Sequence, residues 1–158
     1  MLAALFRGAN SSMPRTPNGL ARSLFVLTSC LTAPWAIASS PESLYARMGG
    51  TANVTAVVSD VIDEAASDPH LKRSFDKVNL GRLKRILVEQ ICELAGGGCR
   101  YSGDSMHDAH AGLGITQAEF YGLVQVLKDC MERHGIAIRE RNELLAILAP
   151  MKRDIVER

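Results

Sequence analysis

One stretch of the chain decides the fold: Met106-His107-Asp108-Ala109-His110-Ala111-Gly112-Leu113-Gly114-Ile115-Thr116. Its start predicts a short helix that ends at His110, four residues after a methionine. Gly112 and Gly114 then turn the chain, and a new apolar helix opens at Thr116. A single imidazole held at a helix end, beside soft apolar side chains, suits the one axial bond that a protein makes to a haem iron. We therefore take His110 as a candidate axial ligand.

The composition describes one globular domain without a nucleic-acid partner. The chain has 158 residues, a formal net charge of +1 and 47% hydrophobic residues, enough for about one domain with a core of its own. Nucleic-acid binding normally needs a basic face, which this near-neutral balance does not favour. Aromatic residues are 5% of the chain, too few for a platform on which bases stack.

The first part of the chain has the order of an export signal. Basic residues precede an apolar run at residues 24–37, and the small residues Ala36-Ile37-Ala38 follow as a cleavage site. The run is shorter than the roughly 20 apolar residues that a membrane span needs. We expect residues 1–38 to be cleaved, and residues 39–158 to form an exported, periplasmic domain with no stable membrane span.

Alternatives exist for this segment. Leu27-Thr28-Ser29-Cys30 resembles a lipobox, which would make the protein a lipoprotein anchored through Cys30. An ordered first helix of the domain is a third interpretation. Residues 1–12 make the start of this signal unusually long, so translation starts either at Met1 or at Met13.

The cysteines agree with export. Cys92 and Cys99 are close in sequence, and three glycines between them turn the chain, so the two thiols can pair in an oxidising compartment. Two buried thiols or a metal pair are the alternatives, although no second pair stands at zinc spacing. Cys130 lies in a helical stretch and is expected to be a small buried residue.

The periodicity is helical from Ser43 onward, and no useful stretch alternates with period two. Thr116 and Glu119 have the spacing of a capping box. One apolar face is predicted at Val54, Val57, Val58, Val61, Ile62 and Ala65. Predicted helices cover Ser43–Met48, Thr51–Ser67, Asn79 to the glycine triplet, a short segment ending at His110, Thr116–Gly135, and Arg139–Val156 with a kink or break at Pro150. These patterns predict an all-α domain of five or six helices.

Together these motifs resemble a known family. They are Leu44-Tyr45 with Gly49-Gly50, the Gly96-Gly97 turn, Tyr101-Ser102-Gly103, and Met106 with His110 through Thr116, and as a set they resemble a group I truncated haemoglobin. The resemblance covers about residues 43–156. It implies a truncated globin fold, a two-over-two helical sandwich around haem b. It also implies reversible binding of a diatomic gas: oxygen, nitric oxide or carbon monoxide.

The resemblance assigns His110 as the proximal histidine and metal ligand. Its Nε2 is expected to bind iron while its Nδ1–H donates to a carbonyl near Met106. His107 is the alternative ligand, without a match to the family. His70 and His134 adjoin helix ends and are expected to be solvated.

The resemblance also assigns the walls of the haem pocket, with ordinary core packing as the alternative for each apolar residue. Phe75 matches the phenylalanine that stacks on haem, and Leu83, Leu87 and Ile91 occupy the face turned to its distal side. Lys84 and Arg85 are candidates for the haem propionates, unless they are simply solvated. The candidate walls elsewhere are Met106, Leu113, Ile115, Phe120, Leu123 and Leu148.

The distal positions depart from the family pattern. Ile62 and Leu87 stand where the family commonly has a tyrosine and a glutamine, and Val61 replaces an aromatic residue. Oxygen polarises when it binds, and a buried donor stabilises it by about 1–3 kcal/mol, or roughly five- to hundredfold in dissociation rate. An apolar pocket therefore predicts fast oxygen loss and relatively favoured carbon monoxide or nitric oxide. Gln90 is the nearest remaining donor, with its direction open.

Other functions remain as alternatives. One is a haem enzyme, a nitric oxide dioxygenase or a peroxidase-like protein, although the distal face shows no general acid or base. Another is a helical interaction module without haem. A reductase is a possible partner of the haem protein.

Overall fold

The computed structural model describes residues 42–158, and these residues form α-helices and 3-10 turns with no β-strand. The helices are α1 Leu44–Arg47, α2 Gly50–Ser67, α3 Leu80–Leu94, α4 Met106–His110, α5 Gln117–Arg133, α6 Ile138–Leu148 and α7 Lys152–Ile155. Turns of 3-10 helix lie at Lys72–Ser74 and Ala149–Met151. The all-α prediction is confirmed. The expectations for the export signal, Cys30 and the start of translation lie outside the described residues.

Side-chain caps explain where several helices begin. The Ser43 hydroxyl accepts from the Ala46 amide at 3.2 Å, and the Asn79 side chain accepts from the Arg82 amide at 2.9 Å. The capping box of α5 is confirmed, because Thr116 Oγ1 accepts from the Glu119 amide and Glu119 Oε2 accepts from the Thr116 amide. Each cap satisfies an amide that the first turn leaves without a partner.

Helix α2 lies at the centre of the molecule, since it packs against both α3 and α5, and α5 in turn contacts α6. Its predicted apolar face is buried at all six positions. Met131 of α5 and Leu144 of α6 complete this core and are fully buried. Burying such side chains contributes about 1.5–3 kcal/mol each, so packing on α2 holds α3 and α5 in place.

The last predicted helix is divided at Pro150, as the sequence indicates. Proline cannot donate a backbone hydrogen bond within a helix, and here α6 ends at Leu148 and a 3-10 turn leads into α7. This division gives seven α-helices in residues 42–158 instead of the predicted five or six. The change of direction brings α7 against α4, the short helix that carries His110.

A disulfide joins Cys92 and Cys99, with their Cα atoms 5.6 Å apart. It connects the last turns of α3 to the loop that leads to α4. Gly97 lies inside the closed loop, where an added Cβ would come within 2.6 Å of Cys92 Sγ and of the Tyr45 ring. The pairing settles the choice between a disulfide and two free thiols, and Cys130 is a buried free thiol as predicted.

Replacing both Cys92 and Cys99 by serine removes a cross-link that restricts the unfolded chain. For a loop this short the chain-entropy account gives about 2–3 kcal/mol, and we expect that loss in the free energy of unfolding from urea titration. Dithiothreitol should destabilise the wild-type protein by the same amount and leave the double variant unchanged. A wild-type protein with both thiols titratable and its stability unaltered would contradict the prediction.

Candidate functional site

A cavity of about 600 Å³ lies between α2, α3, α4 and α5, with Leu148 at the end of α6 and Ile155 of α7 contributing to its wall. This volume is within the roughly 300–1,000 Å³ of pockets that take small molecules and cofactors. Most of the lining side chains are aliphatic or aromatic. Such a wall favours a large apolar ligand over a sugar or a nucleotide.

His110 is the one histidine that lines this cavity among residues 42–158. Its Nδ1 lies 2.7 Å from the carbonyl oxygen of Met106, one turn earlier in α4. That carbonyl can only accept, so Nδ1 carries the proton and donates. The neutral ring then presents an unprotonated Nε2 as a Lewis base, which is the tautomer that binds a metal.

The structure brings all seven sequence-predicted site residues to the cavity wall: Phe75, Leu83, Leu87, Met106, His110, Ile115 and Phe120. The further candidates Ile91, Leu113, Leu123 and Leu148 line it as well. Four helices and two loops contribute these positions. Their convergence follows from the packing of α3 and α5 on α2 and of α4 on α7, and it is not visible in any one segment.

The part of the cavity lined by α2 and α3 is apolar. Val58, Val61 and Ile62 of α2 and Leu87 of α3 all line it. Gln90 is a polar exception on α3, 7% exposed, and its Nε2 donates to the Met106 sulfur at 3.4 Å. The Gln90 side chain, whose direction the sequence leaves open, therefore points toward α4. Its amide is engaged there and not at the α2 wall.

Two other histidines are found away from the cavity. His107, the alternative ligand, has a side chain that is 76% exposed and contacts Asp108 at 3.2 Å. His134 was expected to be solvated, and that expectation is wrong: its Nε2 lies 2.7 Å from Asp60 Oδ2 of α2. The contact joins residues 74 positions apart, which local sequence patterns do not reveal.

The predicted propionate partners are also misplaced. Lys84 Nζ bonds Ser59 and both oxygens of Asp63, and Arg85 pairs with Glu89 at 2.7 Å. Neither basic residue lines the cavity; Arg82 does. Helical spacing was the available signal, because Arg82 precedes Ile86 and Gln90 by one and two turns and shares their face.

Among the acidic side chains of the cavity wall, Glu119 has the pKa that departs most from its ordinary value. Hydrogen bonding from Arg73, reinforced by the Thr116 amide and hydroxyl, lowers the pKa of Glu119 to about 2 against the opposing effect of burial. The carboxylate is therefore ionised at neutral pH and fully engaged. It acts as the cap of α5 and as an anchor for Arg73, with no proton to give.

These residues fit a haem group. The cavity offers an apolar slot, one imidazole with a free ring nitrogen, and a guanidinium at Arg82. Val78 and Leu113, each 42% exposed, are large apolar side chains that also line it. Exposed apolar surface of this kind marks a place where an apolar partner binds. The class of protein defined here is an α-helical protein that holds a flat apolar cofactor beside a single histidine.

Comparison with known proteins agrees with this class. Residues 43–157 match the bacterial-like globin family. The group 1 truncated hemoglobin GlbN of Mycolicibacterium paratuberculosis is 31% identical over 117 residues, covering 74% of this chain and 86% of the relative. Truncated hemoglobin from Tetrahymena pyriformis superposes with a TM-score of 0.70 at 20% identity, covering 74% of this chain and all of that one. The 2/2 hemoglobin of Synechococcus gives 0.69 at 23%, with the same coverage.

The chain belongs to the bacterial-like globins, and among them to the group I truncated haemoglobins. Its helices form the two-over-two globin fold. It is accordingly a globin with haem b as cofactor and a diatomic gas as ligand. In residues 42–158, no helix is both long enough and apolar enough to cross a membrane.

Glu119→Gln tests the electrostatics of this wall. Folding lowers the pKa of this carboxyl, so the ionised group stabilises the native state at pH values above its unfolded pKa of 4.5. This contribution is lost as the pH falls through the folded pKa of about 2. We expect the variant to lose about 1–2 kcal/mol at pH 7, with the difference from wild type closing between those two pH values. Urea titrations across this range measure it. Asp129→Asn, which alters an exposed contact with Gln125 on the same helix as Glu119, is the control and should change little. A difference independent of pH would contradict the account.

Proposed function

We propose that His110 is the protein ligand of the haem iron and that this globin favours nitric oxide or carbon monoxide over oxygen. One observation carries the first part: the single imidazole of the cavity donates from Nδ1 to the Met106 carbonyl at 2.7 Å. This bond fixes the ring plane and leaves Nε2 as the donor to a metal. Haem, when bound, would supply an iron atom that His110 holds and that binds the gas.

The cavity walls divide the work of holding the cofactor. Phe75 offers a ring for stacking, and Leu83 and Leu87 cover the face of the slot opposite α4. Met106, Ile115 and Phe120 line the cavity together with His110 and supply apolar surface around the cofactor. Arg82 supplies positive charge for a propionate. These roles are matched to chemical type, with apolar side chains on the porphyrin and one cation for its carboxylates.

The apolar distal wall supports the preference among gases. Ile62 and Leu87 bring no hydrogen-bond donor to the positions where the family commonly has tyrosine and glutamine, and the Gln90 amide donates to Met106. Oxygen gains most from such a donor because it polarises on binding, whereas carbon monoxide and nitric oxide gain less. The absence of donors therefore weakens the binding of oxygen more than the binding of carbon monoxide or nitric oxide.

Catalytic alternatives find less support in this wall. Peroxide chemistry needs a group that takes and returns a proton near the reacting atoms. Glu119, an acid of the cavity wall, is held ionised by Arg73 and Thr116. The same apolar distal residues also disfavour a nitric oxide dioxygenase, which must first retain oxygen. A reductase partner stays a prediction.

Export to an oxidising compartment is part of the proposal. The Cys92–Cys99 disulfide supports it, because structural disulfides are rare in reducing cytosol and frequent in the periplasm and outside cells. The signal-like segment 1–38 points the same way by its order of charge, apolar run and small residues. Attachment as a lipoprotein through Cys30 is the competing outcome, and the intact mass of the mature chain distinguishes the two.

His110→Ala should remove the axial bond, whereas His107→Ala should leave it in place. Titration of each purified variant with hemin, followed by its Soret absorption and by the spectrum of the reduced form, measures the ligation. We expect wild-type spectra for His107→Ala, and for His110→Ala a spectrum without the imidazole ligand that added free imidazole restores. Equal effects of the two substitutions, or no effect of either, would contradict the assignment.

Leu87→Gln introduces a donor on the distal wall and should slow oxygen dissociation by roughly five- to hundredfold. Stopped-flow displacement of oxygen by carbon monoxide measures the rate. Leu87→Met, which keeps the volume and adds no donor, is the matched control and should stay near the wild-type rate. A wild-type rate that is already slow and unchanged by the glutamine would show that the pocket contains a donor after all.

A further inference from the structure

The turn that follows His110 is held by a side chain distant in sequence. We call residues 111–115 the proximal turn. Its two glycines have φ of 77° and 60°, a left-handed backbone that glycine adopts readily. The Gly112 amide donates to Glu157 Oε1 at 2.6 Å and the Gly114 amide donates to Glu157 Oε2 at 2.8 Å. One carboxylate therefore binds two backbone donors of the turn at once.

The opposite side of the proximal turn is held by a cation. Arg73 donates from Nη1 to the Leu113 carbonyl at 3.0 Å and from Nη2 to the Gly114 carbonyl at 2.9 Å. The same guanidinium pairs with Glu119, the capping residue of α5. The backbone donors of the turn thus meet an anion and its acceptors meet a cation, and such charge-assisted bonds are the stronger kind.

Backbone bonds fix the segment that carries Glu157. After α7 the chain runs beside the proximal turn, where the Glu157 amide donates to the Ile115 carbonyl at 2.9 Å and the Gln117 amide donates to the Arg158 carbonyl at 3.1 Å. These two bonds place the Glu157 side chain over the glycine amides. The carboxylate is therefore positioned by its own backbone.

The position of His110 depends on this turn. Helix α4 has five residues, too few for an isolated helix to be stable in water. His110 is its last residue, and its carbonyl accepts from the Leu113 amide of the turn at 3.1 Å. A shift of the turn therefore moves the backbone that carries the imidazole.

We propose that Glu157 is a positioning residue for His110: by binding the Gly112 and Gly114 amides against the pull of Arg73, it sets where the imidazole stands relative to the haem iron. The inference rests on the proposed role of His110. Glu157 itself touches neither iron nor gas, and it acts through the proximal turn.

Glu157→Ala and Glu157→Gln in the full chain test this role, with Asp154→Ala as the control. Asp154 lies one turn earlier, and its ion pair among residues 42–158 is a 3.8 Å contact to Arg153. Three readouts apply: amide hydrogen exchange at Gly112 and Gly114, the iron–imidazole stretching band of the reduced haem protein in resonance Raman spectra, and the rate of hemin transfer to apomyoglobin.

We expect Glu157→Ala to speed exchange at both glycines and hemin transfer by roughly tenfold, and to shift or broaden the iron–imidazole band. Glu157→Gln should be intermediate, because its single carbonyl oxygen can accept from one amide well but not from both. This graded response persists in the glutamine variant even if the alanine variant does not fold. Asp154→Ala should match wild type in all three readouts.

The proposal would be overturned if Glu157 variants that bind hemin showed the wild-type rate of amide exchange at both glycines and an unmoved iron–imidazole band. Faster hemin transfer with an unmoved band would also overturn it, because that is the result of general loosening without repositioning of His110. A wild-type protein that takes up no hemin would instead refute the proposed function. Glycine exchange in the hemin-free protein then still reports whether Glu157 holds the turn.

Discussion

The hydrogen bond from His110 Nδ1 to the Met106 carbonyl is the interaction on which the functional site depends. It selects the tautomer with a basic Nε2 and fixes the ring plane from within one turn of helix. It exists only while α4 is helical at its last residue. The Ser105 hydroxyl caps the start of α4 through the Asp108 amide, and the proximal turn holds its end. A five-residue helix thus takes its geometry from its two ends.

The cavity around this histidine is selective because Gln90 and Tyr101, two polar side chains of its wall, are engaged elsewhere. Gln90 donates to Met106, and the Tyr101 hydroxyl donates to the Asp104 carbonyl at 2.8 Å. Burial raises the pKa of Tyr101, with the nearby carboxylates adding to the effect, so this hydroxyl stays protonated. With Ile62 on the facing helix, the wall offers shape and exclusion of water more than hydrogen bonding. Such a wall separates ligands by how much each needs a donor.

Local patterns carried most of the fold and singled out the candidate ligand. The capping box at Thr116, the break at Pro150 and the position of His110 in α4 all follow from neighbours within four residues, and the structure agrees at each. Contacts between distant segments were beyond such patterns. Lys84 turned to Asp63 on another helix, and Glu157 reached back to the proximal turn. Rotation of a helix about its axis and the path of an irregular segment depend on the assembled core, which no single stretch encodes.

The most direct test of the central claim is a crystal structure of the mature protein with haem. The account predicts haem in the cavity between α3 and α4, iron bonded to Nε2 of His110, and Nδ1 still within hydrogen-bond distance of the Met106 carbonyl. Iron bonded to any other side chain, or haem bound outside this cavity, would contradict it.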